Sequence, residues 1–298
     1  MSKARADKPS AANIEGEILQ LLAQTKEEIL RRLAPFAERV PTRELDMYPD
    51  RLNAYIDEVE KLRADVAPVL ETIGQKISSL ASTGWQHDNR VVQFWLAFTH
   101  VVQTLRHNPE KGPAALYVSA DNQLLGYSAA NFLLAEMQPS PKLRHKLQKI
   151  DGRTAYNICA EPAAASHAIG HQHIGTNTLL LKGKKWRKEH WHYQRPPPNG
   201  DYIPLRRVPE RRQEFLQRVA KLGKKDGRFD NSVLVTTADP CGSCTKVLID
   251  IGVTQVISDA QSYFMPMGAK RRNEMLKSAE RLDRNGVKHS HLHYQLNI

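Results

Sequence analysis

The chain has 298 residues, a formal net charge of +11 and a hydrophobic fraction of 41%. That length suffices for one large or two small domains, the mixed charges read as globular, and no run of about 18 apolar residues exists that would span a membrane. Met1 to Ala12 is polar and basic and reads as disordered rather than as a secretory signal, and three cysteines without such a signal suggest a reducing, intracellular compartment.

From Asn13, a fair N-cap, apolar residues recur at helical spacing through Ile14, Ile18, Leu21, Leu22, Ile29, Leu30 and Leu33. Thr25 and Glu28 form a capping-box pattern that would begin a second helix, and Pro35 and Pro41 would interrupt or end it. A further helix is expected from about Pro49 to Leu80, with Leu52, Ile56, Val59, Leu62, Val66, Val69, Ile73 and Ile77 as its stripe and a kink at Pro68. Residues 13–82 therefore read as a helical hairpin or small bundle. Its stripes suit a core, a second copy of the chain or a partner protein.

Asp88 should cap a helix with Val91, Phe94, Trp95, Phe98, Val101, Val102 and Leu105 as its apolar face. Ala114–Ser119 and Gln123–Tyr127 flank Ala120-Asp121-Asn122 and read as a β-hairpin with a short polar turn. Cys159 opens a helix rich in small residues, able to lie close to a sheet, and Thr178–Leu181 suits a strand edge. Between Lys182 and Arg228 stand fifteen Lys or Arg against five Asp or Glu, so this stretch alone carries +10. Glu210–Leu222 within it reads as a helix. Ser232–Thr237 is a buried strand, Cys241–Ile251 a helix ended by Gly252, and Val253–Ser258 another strand. Ala269–Asn285 is a helix with Met275, Leu276, Ala279 and Leu282 inward, and Val287–Leu292 is the last strand. Strand–helix–strand connections imply parallel pairing at the C-terminal end.

All three cysteines lie in two short motifs, Cys159-Ala160-Glu161 and Pro240-Cys241-Gly242-Ser243-Cys244. A Cys-x-x-Cys pair with a third thiolate from elsewhere is a metal pattern. Cys241 and Cys244, three apart, put both sulfurs on one side of a helical turn, Pro240 fixes the entry, and a helix N-terminus favours thiolate. A catalytic zinc takes three protein ligands and keeps one place for a water that it acidifies. Glu161, beside Cys159, is placed to move a proton. The bland readings are a structural zinc or three small buried hydrophobes.

With the proline and the glutamate included, the two motifs resemble the cytidine deaminase-like superfamily over about residues 88–298, with 182–228 as a basic insertion. The resemblance implies a three-layer α/β/α fold, two zinc-bearing helices beneath a mixed five-stranded sheet, here preceded by the helical N-terminal region. It implies Cys159, Cys241 and Cys244 as zinc ligands and Glu161 as the proton shuttle for hydrolytic deamination. Ala160, Ser128 and Asn131 correspond to substrate contacts. Ser128 stands near where relatives carry a sugar-holding asparagine, and Asn131 is the nearest one. Tyr263 and Phe264 fall where AID/APOBEC-like enzymes read a neighbouring base, and Cys-Ala-Glu-Pro is similar to bacterial toxin deaminases. Cysteine in the first metal position is typical of cytidine enzymes, so cytosine is favoured over adenine.

Basic residues interleaved with aromatics suit phosphates and stacked bases, which nominates Lys184, Lys185, Trp186, Arg187, Lys188, Trp191 and Arg195 for contact with single-stranded DNA or RNA. A solvated surface insertion is the alternative. His289, His291 and His293 alternate along the last strand and share a face, with no carboxylate complement evident. Two further functions remain open: a deaminase of free nucleosides or nucleotides, and a catalytically idle binding module.

Overall fold

The computed structural model describes residues 11–37, 49–81, 83–106, 112–132, 157–169, 208–261, 269–296 and 298. Three helices come first: α1 (Ala11–Ala37), α2 (Pro49–Ser78) and α3 (Asn89–Gln103). The hairpin β1 (Ala114–Val118) and β2 (Leu124–Ala129) follows, then a short pair, β3 (Asn131–Phe132) with β4 (Asn157–Ile158). The rest alternates: α4 (Ala160–Ala168), α5 (Val208–Asp226), β5 (Val233–Thr236), α6 (Gly242–Ile251), β6 (Gln255–Asp259), α7 (Ala269–Arg284) and β7 (Lys288–Leu292).

The five longer strands form one mixed sheet in the order β2-β1-β5-β6-β7. β1 runs antiparallel to β2 and to β5, whereas β5, β6 and β7 are mutually parallel. The crossovers dictate this, since a strand that returns through a helix re-enters in its original direction. The chain is thus an α/β protein with helices on both faces of its sheet.

Strand alternation divides the core. Ala114, Leu116 and Val118 of β1, with Val233, Val235 and Ile257, meet the α1–α3 side. Ala115, Tyr117, Leu234 and Val256 meet α4, α5 and α6 on the other. Both faces of β1 and β5 are covered, so their residues are buried throughout and, Thr236 aside, apolar or aromatic. α3 is buried nearly all round, Val92, Leu96 and Ala97 as fully as the expected face, because α1 and α2 cover the side that the sheet does not.

The N-terminal helices share this cluster. Ile18, Leu22, Ile29, Val59, Leu62, Leu70, Ile73 and Ile77 pack with α3 and the sheet, and among the described side chains of α1 and α2 the large apolar ones left exposed are Leu30 and Val69. Arg63 of α2 is buried and donates to the Leu105 carbonyl from Nε at 3.0 Å and Nη2 at 2.6 Å, supplying donors to the end of α3. The C-terminal tail closes over α3: Gln93 Nε2 donates to the His293 carbonyl at 2.7 Å and Gln93 Oε1 accepts from Gln295 N at 2.8 Å. His100 Nε2 lies 2.8 Å from Asp259 Oδ2, tying α3 to the end of β6.

Several expectations need correction. α1 is continuous across Thr25, whose hydroxyl donates back to the Leu21 carbonyl at 2.7 Å instead of starting a helix. α1 begins at Ala11, so Asn13 is already helical, and Pro35 sits in its last turn. Leu276 faces outward at 47% exposure, because Ser278 and Leu282 hold the buried line of α7. Thr178–Leu181 lies outside the described residues.

The turn residue Asn122 is the least foreseen. It has φ 59° and is fully buried. Its Nδ2 donates to the carbonyls of Ile77, Ser78 and Ala81 at 3.0, 3.2 and 2.8 Å, capping the end of α2, while its Oδ1 accepts from Trp95 Nε1 at 2.8 Å. A polar turn thereby becomes the joint between the hairpin, α2 and α3. Asn122→Ala should lower stability by about 2–3 kcal/mol, read from the denaturant midpoint, because it orphans a buried indole N–H and helix-end carbonyls.

The opposite face depends on one glycine. A Cβ on Gly126 of β2 would stand 2.5 Å from Ala168 N and 2.8 Å from Ala164 O, the backbone of α4. The small-residue helix therefore lies directly on the strand. Gly126→Val should cost about 1–3 kcal/mol or more from overpacking, whereas Gly16→Ala on α1, with nothing within 4 Å of the added carbon, should be neutral or stabilise by up to about 1 kcal/mol. Thermal unfolding of the two variants tests the contrast.

Candidate metal centre

Two helix N-termini meet on the α4–α6 side of the sheet. Cys159 is the N-cap of α4, with φ −60° and ψ 152°, and Cys241 the N-cap of α6, with φ −73° and ψ 164°. Each cysteine carbonyl accepts the first helical bond, from Ala163 N at 3.4 Å and from Thr245 N at 2.9 Å. Pro240 precedes the second cap, and Arg281 Nη1 of α7 donates to the Gly242 carbonyl at 3.0 Å, holding the start of α6. Cys244, one turn on, is fully buried.

The three sulfurs converge. Cys159 Sγ is 3.9 Å from Cys241 Sγ, Cys241 Sγ is 3.4 Å from Cys244 Sγ, and all three lie within 4.8 Å of one another. A disulfide needs about 2.0 Å, so no two of the three cysteines are disulfide-bonded. Three ligands about 2.3 Å from a tetrahedral cation stand about 3.8 Å apart, so the donor set and its spacing are compatible with a metal site. Hydrogen bonding among the sulfurs, then burial and the charge of Glu161, push the Cys159 and Cys244 thiols well above their ordinary range. Only a cation would make three such close thiolates favourable.

Glu161, in the first turn of α4, is 2% exposed and its Oε2 is buried. Its charge also acts on Tyr117, which burial first, and then Glu161 and Cys244, raise above the ordinary phenol range. The Tyr117 hydroxyl donates to the Glu161 carbonyl at 3.1 Å, fixing the first turn of α4 to β1. Ala160 is fully buried beside it.

The other nominated residues divide. Ser128 pairs with Ala115 and so lies on the α4 side of the sheet; its hydroxyl donates to the Ala129 carbonyl at 2.9 Å. Asn131 pairs with Ile158, which places its backbone one residue in register from Cys159. Tyr263 and Phe264, and Lys184, Lys185, Trp186, Arg187, Lys188, Trp191 and Arg195, lie outside the described residues. The C-terminal part of the basic stretch is structural. Leu216 and Val219 of α5 are core residues, and Arg228 donates to the Ala168 carbonyl at the end of α4 while pairing with Asp226.

One group went unseen in the sequence. Asp239, two residues before Cys241, lies between two histidines of β7: His289 Nε2 is 3.2 Å and His291 Nε2 2.9 Å from its Oδ1. The histidines do have a carboxylate complement. Burial tends to raise the Asp239 carboxyl, but its hydrogen bonds to His289 and His291 prevail and bring it down to about 2. The alternation of His289 and His291 was the available signal; the missing element was that the loop after β5 crosses to β7.

Compared with models of known protein families and with curated proteins, the chain matches none. No helix among the described residues is long and apolar enough to cross a membrane.

Because the raised thiols must give up protons to bind a cation, affinity at the sulfur centre should weaken as pH falls through neutrality. Titrating metal-free protein in weak buffer should show acid release on metal addition. Cys244→Ser should remove that acid release, and binding at the sulfur centre without proton release would count against thiolate ligation.

Proposed function

We propose that the chain is a zinc-dependent hydrolytic nucleobase deaminase with a cytidine deaminase-like fold, acting on single-stranded or flipped-out nucleic acid, with cytosine to uracil as the favoured conversion. The observation that carries this is a buried carboxylate in the same helical turn as one of three converging sulfurs. Support for the fold comes from the succession of hairpin, α4, β5, α6, β6, α7 and β7 around a mixed sheet, with both sulfur-bearing helices on one face.

The reaction replaces an exocyclic amine with a carbonyl oxygen from water and releases ammonia. When bound, zinc supplies the Lewis acidity that lets a water be deprotonated near neutral pH. Cys159, Cys241 and Cys244 would hold the cation, whose charge, with the two helix N-termini, would offset the raised thiols. Glu161 takes the proton from water, passes it to the ring nitrogen and assists the departing amine. Its burial excludes competing solvent, and the Tyr117 contact keeps its turn in place. Ala160, Ser128 and Asn131 line the approach to the base in this reading, with Tyr263 and Phe264 reading a neighbour and Lys184, Lys185, Trp186, Arg187, Lys188, Trp191 and Arg195 holding the strand.

A second reading takes a free nucleoside or nucleotide through the same chemistry. It is favoured by the structural role of the last part of the basic stretch: seven of its fifteen basic residues lie in 208–228, where the helix belongs to the core.

Incubation with single-stranded DNA, RNA, cytidine and deoxycytidylate separates these readings by product. Uracil formed in a strand supports the first, turnover of free nucleotides alone replaces it with the second, and no uracil or hypoxanthine from any substrate overturns both. Glu161→Gln should lower turnover by about 10²–10⁴-fold with metal content unchanged.

A further inference from the structure

The Asp239, His289 and His291 cluster belongs neither to the sulfur centre nor to the core. Its three side chains come from two places far apart in sequence, the loop after β5 and the last strand, yet their ligand atoms lie within 4.8 Å of one another. Both imidazoles turn Nε2 toward one carboxylate: His289 Nε2 is 3.2 Å from Oδ1, and His291 Nε2 is 2.9 Å from Oδ1 and 3.0 Å from Oδ2. The rings stand 4.6 Å apart. Ser258 Oγ lies 3.2 Å from His289 Nε2.

These spacings have a simple geometric meaning. Ligands about 2.1 Å from a cation and at right angles to one another lie about 3.0 Å apart. Two imidazoles and one carboxylate gathered on one side of a point leave the other side open. Exposure follows the same gradient: the Asp239 side chain is 5% exposed, His289 11% and His291 32%. Two are packed into place, and the third borders solvent.

We propose that Asp239, His289 and His291 form a second divalent-cation site, separate in ligands from the three sulfurs and open on the His291 side. Its nitrogen and oxygen donors suit zinc, cobalt, manganese or ferrous iron, and lack the soft sulfur that marks the first centre. Only Pro240 separates Asp239 from Cys241, so a cation here would neighbour the sulfur centre along the carboxyl ends of the parallel strands. The site stands on its own geometry and does not require the deaminase reading.

Cobalt(II) titration of chelator-treated full-length protein tests it, because thiolate ligation gives intense near-ultraviolet charge-transfer absorption and histidine–carboxylate ligation does not. Wild-type protein should take up about two equivalents, one with the thiolate band and one without. The double variant H289A/H291A should keep the band and lose the second equivalent. Cys241→Ser with Cys244→Ser should lose the band and keep the other equivalent. His291→Gln, at the most exposed position, should weaken the second equivalent by about 10-fold or more with unchanged circular dichroism and thermal midpoint, which keeps the test valid if the double variant does not fold. A single equivalent in wild type, or uptake by His291→Gln indistinguishable from wild type, would show that Asp239 merely accepts hydrogen bonds from two imidazoles and would overturn the proposal. Failure of nucleobase turnover leaves this titration unaffected, and loss of the second equivalent leaves the thiolate band in place.

Discussion

Three sulfurs are held at 3.4 and 3.9 Å, too far to bond and too near to be ionised together without a cation. That constraint sets much of the fold around it. Two sulfurs sit at helix N-caps, where the backbone must be extended before it turns helical, and the third follows one turn later. The helices can meet only if both lie flat on the same face of the sheet. Gly126 lets α4 do so by direct backbone contact. For α6, the grip of Arg281 on its first residue and the small Ser278 beside Gly242 serve the same end.

The parallel part of the sheet explains why chemistry gathers at one end. β5, β6 and β7 all point their carboxyl ends the same way, and in open α/β sheets the crevice beyond those ends is where ligands bind. The loop leaving β5 carries Asp239 and Cys241, and β7 carries His289 and His291 on the face shared with Val256. Soft and hard donors therefore meet on one short loop. Asp239 looks toward the histidines, Cys241 toward the sulfurs, and Pro240 between them stiffens the division.

The two motifs and the element order were legible because each rests on local rules: period two for strands, period 3.6 for helices, glycine after a helix. Asp88 caps α3 by accepting from Arg90 N and Val91 N, as its position implies. What escaped was long-range. Asn122 looks like any turn asparagine, and nothing local says that the end of α2 arrives to be capped by it. Asp239 looks like a residue before a proline, and its partners are fifty residues on. The Thr25–Glu28 pattern misled because a threonine hydroxyl can satisfy itself on the preceding turn as readily as it can cap a helix. Leu276 misled because a helix packed by one narrow edge buries Ser278 in preference to a larger neighbour.

The basic stretch shows why charge density alone cannot locate a binding surface. Its helical end, α5, places Leu216 and Val219 in the core and leaves Lys224 and Lys225 exposed on the other side, so a single amphipathic helix raises the local charge while serving the fold. Arg228 goes further, since its guanidinium supplies donors to the end of α4. Eight basic residues against two acidic remain in 182–207, among them every lysine, arginine and tryptophan nominated for a strand. The proposed contact with a strand therefore rests on an excess of six in that segment and not on the whole +10. That excess belongs to the part of the chain that enters α5, whose own far end joins α4 through Arg228.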